Sequence, residues 1–86
     1  MPQYEHNSEK FGYLNLESLA GVQEALTSLG HDPGTADGKD GPKTQQAVRA
    51  FQASLSIKID GIVGPQTRQG LMDELEKHSA ESASPV

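Results

Sequence analysis

The segment Asp37-Gly38-Lys39-Asp40-Gly41-Pro42-Lys43-Thr44-Gln45-Gln46 recurs 23 positions later as Asp60-Gly61-Ile62-Val63-Gly64-Pro65-Gln66-Thr67-Arg68-Gln69. The shared pattern is D-G-x-x-G-P-x-T-x-Q. Glycines permit positive φ, so each loop can turn sharply before a helix. Pro42 and Pro65 suit the first helical position, where a missing N–H is not needed. Two helix N-termini then carry partial positive charge and N–H donors, which suits a ligand carboxylate. The glycines would leave backbone N–H groups uncovered by side chains. The candidate binding residues are therefore Asp37, Gly38, Gly41, Lys43 and Thr44 in the first copy, and Asp60, Gly61, Gly64, Thr67 and Arg68 in the second. Lys39 joins Lys43 and Arg68 as a cation inside the repeated segments. A purely structural reading uses the same residues: Asp37 with Thr44, and Asp60 with Thr67, would lock each loop onto its helix. The two readings are compatible.

Other chemistry is poorly supplied. His6, His31 and His78 stand far apart, with no H-x-x-x-H or H-E-x-x-H spacing for zinc. Asp32, Asp37 and Asp40 lack the alternating oxygen ligands and closing Glu of a calcium loop. No Ser lies in a G-x-S-x-G context. Asp37 and Asp60 are the candidate carboxylate pair for glycoside cleavage, but their matching local partners read more simply as structural. Asp73, Glu74 and Glu76 read as a solvated helix face. The expectation is a non-enzyme with no cofactor and no metal.

Three helices position the repeats. Leu16, Leu19, Val22, Leu26 and Leu29 follow three- and four-residue steps and predict a helix over about 16–29. Asn15 is the expected N-cap and Gly30 the expected stop. Gly21 inside this helix suggests a close helix–helix contact. Ala47, Val48, Phe51 and Leu55 predict a second helix over about 42–54. Ile57 and Ile59 in the connector are inward-pointing candidates. Leu71, Met72 and Leu75 give the buried face of a third helix from Pro65, expected to fray near Lys77. The fold class read from this is all-α, a compact three-helix bundle. Residues 1–14 are expected to be a poorly ordered arm, 15–78 the domain, and 79–86 a flexible tail. Phe11, Tyr13 and Leu14 either fold back on the domain or stay in solvent.

Eighty-six residues suggest one small domain, and a monomer. A net charge of −5 argues against nucleic acid and against an anionic membrane surface. The chain has no Cys, so it holds no disulfide. The start, Met-Pro-Gln-Tyr-Glu-His, lacks the regions of a signal peptide, so either export does not use that route or this is a segment of a larger protein.

The repeat, Val22-Gln23 with Leu26 and Leu29-Gly30, and Ala47-Val48-Arg49-Ala50-Phe51-Gln52 together resemble the PG_binding_1 family of peptidoglycan-binding domains. The similarity runs from about Leu19 to Leu75. It implies a non-catalytic three-helix module that binds cell-wall peptidoglycan through a stem peptide or muropeptide. Such modules accompany a catalytic domain in bacterial or phage proteins, and the resemblance implies a location in the cell envelope or outside the cytoplasm. The chain departs from the family pattern at His31 (often aromatic), at Ser56 (often Gly), at Arg68-Gln69-Gly70 (often with an aromatic) and in having no Trp. These departures keep a second function open: a protein-interaction adaptor on the same fold, in a phage or secretion-system component, without wall binding.

Overall fold

The computed structural model describes residues 4–83. Its elements in chain order are β1 (Glu5–Ser8), β2 (Gly12–Asn15), α1 (Leu19–Ser28), α2 (Pro42–Ser54) and α3 (Pro65–Ala83). The strands pair antiparallel, with His6 opposite Leu14 and Ser8 opposite Gly12. The all-α expectation is therefore corrected. Residues 5–15 show no helical period because they alternate: His6 and Leu14 are buried on one face, while Asn7 and Tyr13 face solvent. The Tyr13 hydroxyl donates to the Glu5 carboxylate across the outer face. Gly12, at φ +74°, and the Ser8 hydroxyl, which accepts from the Phe11 N–H at 3.1 Å, make the turn.

The hairpin closes onto α1 and α3, and α1 packs on both α2 and α3. The core is Leu14, Leu16, Val22, Ala25, Leu26, Ala47, Val48, Phe51, Leu71 and Leu75. Phe11 is half-buried against it, Ile57 is half-buried, and Ile59 is exposed rather than inward.

Helix α1 starts three residues later than its apolar period suggests. Asn15 accepts from the Glu17 N–H in a tight turn, and Ser18 is the N-cap, its hydroxyl accepting from the Gly21 N–H at 3.1 Å. Leu16 is fully buried but belongs to the approach, not to the helix. Gly21 meets the backbone of Asn15, not another helix: a Cβ there would overlap the Asn15 carbonyl. Helix α2 spans the expected residues, and α3 begins at Pro65 as expected. Helix α3 runs past Lys77 to Ala83, so the expected tail overlaps its last turn, and residues 84–86 lie outside the described residues, as do 1–3 of the arm.

Helices α1 and α2 end alike. The His31 N–H reaches the Leu26 carbonyl and the Gly30 N–H that of Thr27, with Gly30 at φ +91°. The Ile57 N–H reaches Gln52 and the Ser56 N–H reaches Ala53, with Ser56 at φ +59°. Both are Schellman caps, and the second places a serine where glycine is unstrained.

Two stability changes follow, each measured by chemical denaturation. Gly21→Ala, which in an open helix gains about 1 kcal/mol, is expected here to lose about 1–3 kcal/mol by collision with Asn15. Ser56→Gly is expected to gain about 0.5–1 kcal/mol, the left-handed strain relieved less the added chain entropy. A stabilised Gly21→Ala or a destabilised Ser56→Gly would contradict the geometry described.

Candidate binding site

Each repeated loop is held from inside by a glutamine of the preceding helix. Gln23, on α1, is fully buried. Its Nε2 donates to the Lys39 carbonyl and to Thr44 Oγ1, both at 2.9 Å, and its Oε1 accepts from the Gly38 N–H at 2.9 Å. Gln52, on α2, is buried to 1% exposure. The two hydrogens on its Nε2 are shared among three acceptors, the Ile62 carbonyl, Thr67 Oγ1 and Asp60 Oδ1, at 3.0, 3.0 and 2.9 Å. Its Oε1 accepts from the N–H groups of Asp60 and Gly61. Lys39 and Ile62 are equivalent positions of the repeat, as are Gly38 and Gly61, and Thr44 and Thr67. The two clasps are thus the same device used twice.

The aspartates act locally. Asp37 Oδ1 accepts from the Lys39 N–H and Asp60 Oδ1 from the Ile62 N–H, both at 2.9 Å. No direct Asp–Thr bond forms among the described residues: each threonine meets its loop through the glutamine and through its own hydroxyl, which donates to the Pro33 carbonyl from Thr44 and to the Ile62 carbonyl from Thr67. The Ile62 N–H, and after it the Gln52 amide, holds the Asp60 carboxyl below its usual range. Stability from this depressed pKa is present above the ordinary Asp value and is lost as pH falls through the folded one.

The four loop glycines are engaged. Gly38 and Gly61 donate to the glutamines, Gly41 to the Lys39 carbonyl and Gly64 to the Ile62 carbonyl. Gly38 and Gly61 have φ +78° and +71°, which explains glycine there. The cations divide. Lys43 pairs with Asp32 at 3.1 Å, both exposed. Arg68 donates from Nε to the Leu16 carbonyl at 2.8 Å and from Nη1 to the Val63 carbonyl at 3.1 Å, tying α3 to the hairpin's exit. Lys39 is exposed.

The first loop borders an open depression of about 470 Å³ lined by Pro33–Thr35, Asp37, Lys39 and Gly41–Thr44. It gathers every first-copy candidate except Gly38. A second depression, about 400 Å³, lies between Leu55 and Ile57 after α2 and Gln66, Gln69, Gly70 and Asp73 on α3. Arg68 instead lines a separate depression with Tyr4 and Glu17. Among the described residues, no group of three or more His, Asp or Glu is assembled to hold a metal.

Two departures from the family pattern find physical accounts. His31 packs edge-on against Phe51, centroids 5.7 Å apart, and so keeps a ring at that position. Gly70 leaves room that the Leu55 side chain takes up; a Cβ there would overlap it.

The model of a family described as "Putative peptidoglycan binding domain" matches residues 10–71. The chain belongs to this family. Among curated proteins, it is 40% identical over 63 residues to "Uncharacterized protein in bpoA1 3'region" of Kitasatospora aureofaciens, covering 73% of this chain and 50% of that protein. It is 33% identical to "Putative OxPP cycle protein OpcA" of Synechocystis sp. over 64% of this chain and 12% of that protein. It is 34% identical to "N-acetylmuramoyl-L-alanine amidase CwlM" of Mycobacterium tuberculosis over 64% of this chain and 14% of that protein. The chain thus spans half the length or less of the relatives it matches. No solved structure matches it at a significant level.

Gln23 and Gln52 stand in the family pattern, but the sequence alone assigns them no role. The signal was present: each follows a core residue, Val22 or Phe51, in an otherwise apolar stripe. Gln52→Met is expected to cost about 2–4 kcal/mol, because the buried Gly61 N–H and its neighbours lose their partner. Gln46→Met, on an exposed position, is expected to stay within about 0.5 kcal/mol of wild type. Equal midpoints in urea for the two variants would remove the clasp from the account.

Proposed function

We propose that this chain is a non-catalytic module that attaches a larger protein or assembly to bacterial cell-wall peptidoglycan, and so works in the cell envelope. Membership of the peptidoglycan-binding family is the observation that carries this reading. The relative named as an N-acetylmuramoyl-L-alanine amidase supports it, since that protein contains a matching segment. We place the ligand, a stem peptide or muropeptide, on the outer surface of the two repeated loops. The depression beside Asp37, Gly41, Lys43 and Thr44 supports this for the first copy. In the second, Asp60, Gly61, Gly64 and Thr67 shape the loop that presents its outer side chains. Arg68 serves this site by holding the fold, and its guanidinium is already occupied by two carbonyls.

One observation favours an adaptor without wall binding: a matching segment also occurs in a protein named for the OxPP cycle. The experiment that separates the readings is co-sedimentation with purified sacculi, paired with turbidity of a wall suspension. The chain is expected to pellet with sacculi and to leave turbidity unchanged. Retention in the supernatant would favour the adaptor, and release of soluble muropeptides would make the chain an enzyme.

A further inference from the structure

We infer that Arg49, together with the exposed Ile59 and Ile62, recognises a carboxylate carried beside a small apolar group, the chemistry of the alanyl end of a wall stem peptide. The inference rests on the wall-binding reading and names the part of the ligand that the second loop takes.

Arg49 lies on α2, one turn before Gln52, and is exposed. Its guanidinium covers Gly61. A side-chain carbon placed on Gly61 would lie 3.0 Å from Nε, 3.2 Å from Cζ and 3.3 Å from Nη2 of Arg49. Three guanidinium atoms at nearly one distance mean that the group lies broadside over the glycine. Gly61 is buried, and Gln52 pins its backbone, so the floor beneath the cation is fixed. Among the described residues Arg49 forms no hydrogen bond and no ion pair, unlike Lys43 and Arg68. The nearby carboxylate, Asp60, is directed to the Ile62 N–H and the Gln52 amide. A guanidinium with a supported face and free edges is suited to a bidentate carboxylate.

The first copy of the repeat builds the same clasp without an arginine at this place. Ala20 stands three residues before Gln23, as Arg49 stands three before Gln52. Ala20 Cβ lies 3.9 Å from the corresponding point on Gly38. A methyl group therefore covers the first glycine, and a cation covers the second. The flanking positions differ in the same sense. Ile59 and Ile62, 56% and 65% exposed, occupy the places of Ala36 and Lys39. The second loop thus carries two exposed isoleucines, Ile59 and Ile62, on either side in sequence of the glycine that the cation covers, in a protein of net charge −5. Two side chains make a patch fitted to a small apolar group and too limited for a stable protein interface.

The test is a titration, followed by isothermal calorimetry, of the 86-residue chain with a synthetic stem peptide ending in a D-alanine free acid, and with the same peptide as its terminal amide. The acid is expected to bind about tenfold more tightly than the amide. Arg49→Ala, which copies the first repeat, is expected to bring the acid down to the level of the amide and to leave the amide unchanged. Ile62→Ser is expected to weaken both forms equally. Equal binding of acid and amide, or wild-type affinity in Arg49→Ala, would overturn the inference. So would sacculi that pellet the chain while neither peptide binds; in these cases the wall-binding reading survives. If neither sacculi nor peptides bind the wild type, both readings fall together.

Discussion

A carboxamide taken fully out of water must find partners for two N–H donors and a carbonyl oxygen, or the fold bears the cost of desolvating them. Gln23 and Gln52 find these partners in the backbone and the threonine hydroxyl of the next loop. No other side chain fits this role as well. Glutamate has no donor for the loop carbonyls, and asparagine is a methylene shorter. Because each glutamine sits on one helix and grips the start of the following one, α1 positions α2 and α2 positions α3. Arg68 completes the circuit by tying α3 to the Leu16 carbonyl ahead of α1. Each helix is therefore held by a polar contact as well as by the apolar core.

That circuit matters because the core is small. Short helices are marginal alone and depend on tertiary packing. The hairpin adds Leu14, and the chain between β2 and α1 adds Leu16, to a core that three helices would otherwise leave open. The seam between hairpin and α1 is tight enough to exclude a single carbon at Gly21. An intrinsic helix-propensity penalty is accepted there for the sake of that approach.

The parts legible from sequence were those with strong local signals. Pro42 and Pro65 marked two helix starts, and the apolar period marked three helices, because these depend on neighbours in the chain. The hairpin was illegible because its strands are four residues long and each buries one residue, His6 or Leu14, an alternation too short to register. The start of α1 was misplaced because Leu16 kept the helical spacing while Asn15 and Ser18 diverted the backbone first. In the candidate site, the loops and glycines were readable from the repeat. The occupancy of the Gly38 and Gly61 N–H groups was not, since their acceptors lie on helices 15 and 9 residues earlier.

The same separation governs where charge is available. Counting cations in the repeat selects Lys39, Lys43 and Arg68, yet Lys43 neutralises Asp32 and Arg68 is spent on two carbonyls. Arg49 lies outside the repeated decapeptide and reaches the second loop only through the fold. The clasp interior is nearly identical in the two copies, whereas the exteriors diverge: Ala20, Ala36 and Lys39 against Arg49, Ile59 and Ile62. A fixed interior demands Asp, Gly, Thr and a distant Gln, and it places no demand on the side chains that face outward. Two surfaces of different chemistry can then be carried on one repeated scaffold. Under the wall-binding proposal, recognition is assigned to the positions that the repeat leaves variable, not to those that it repeats.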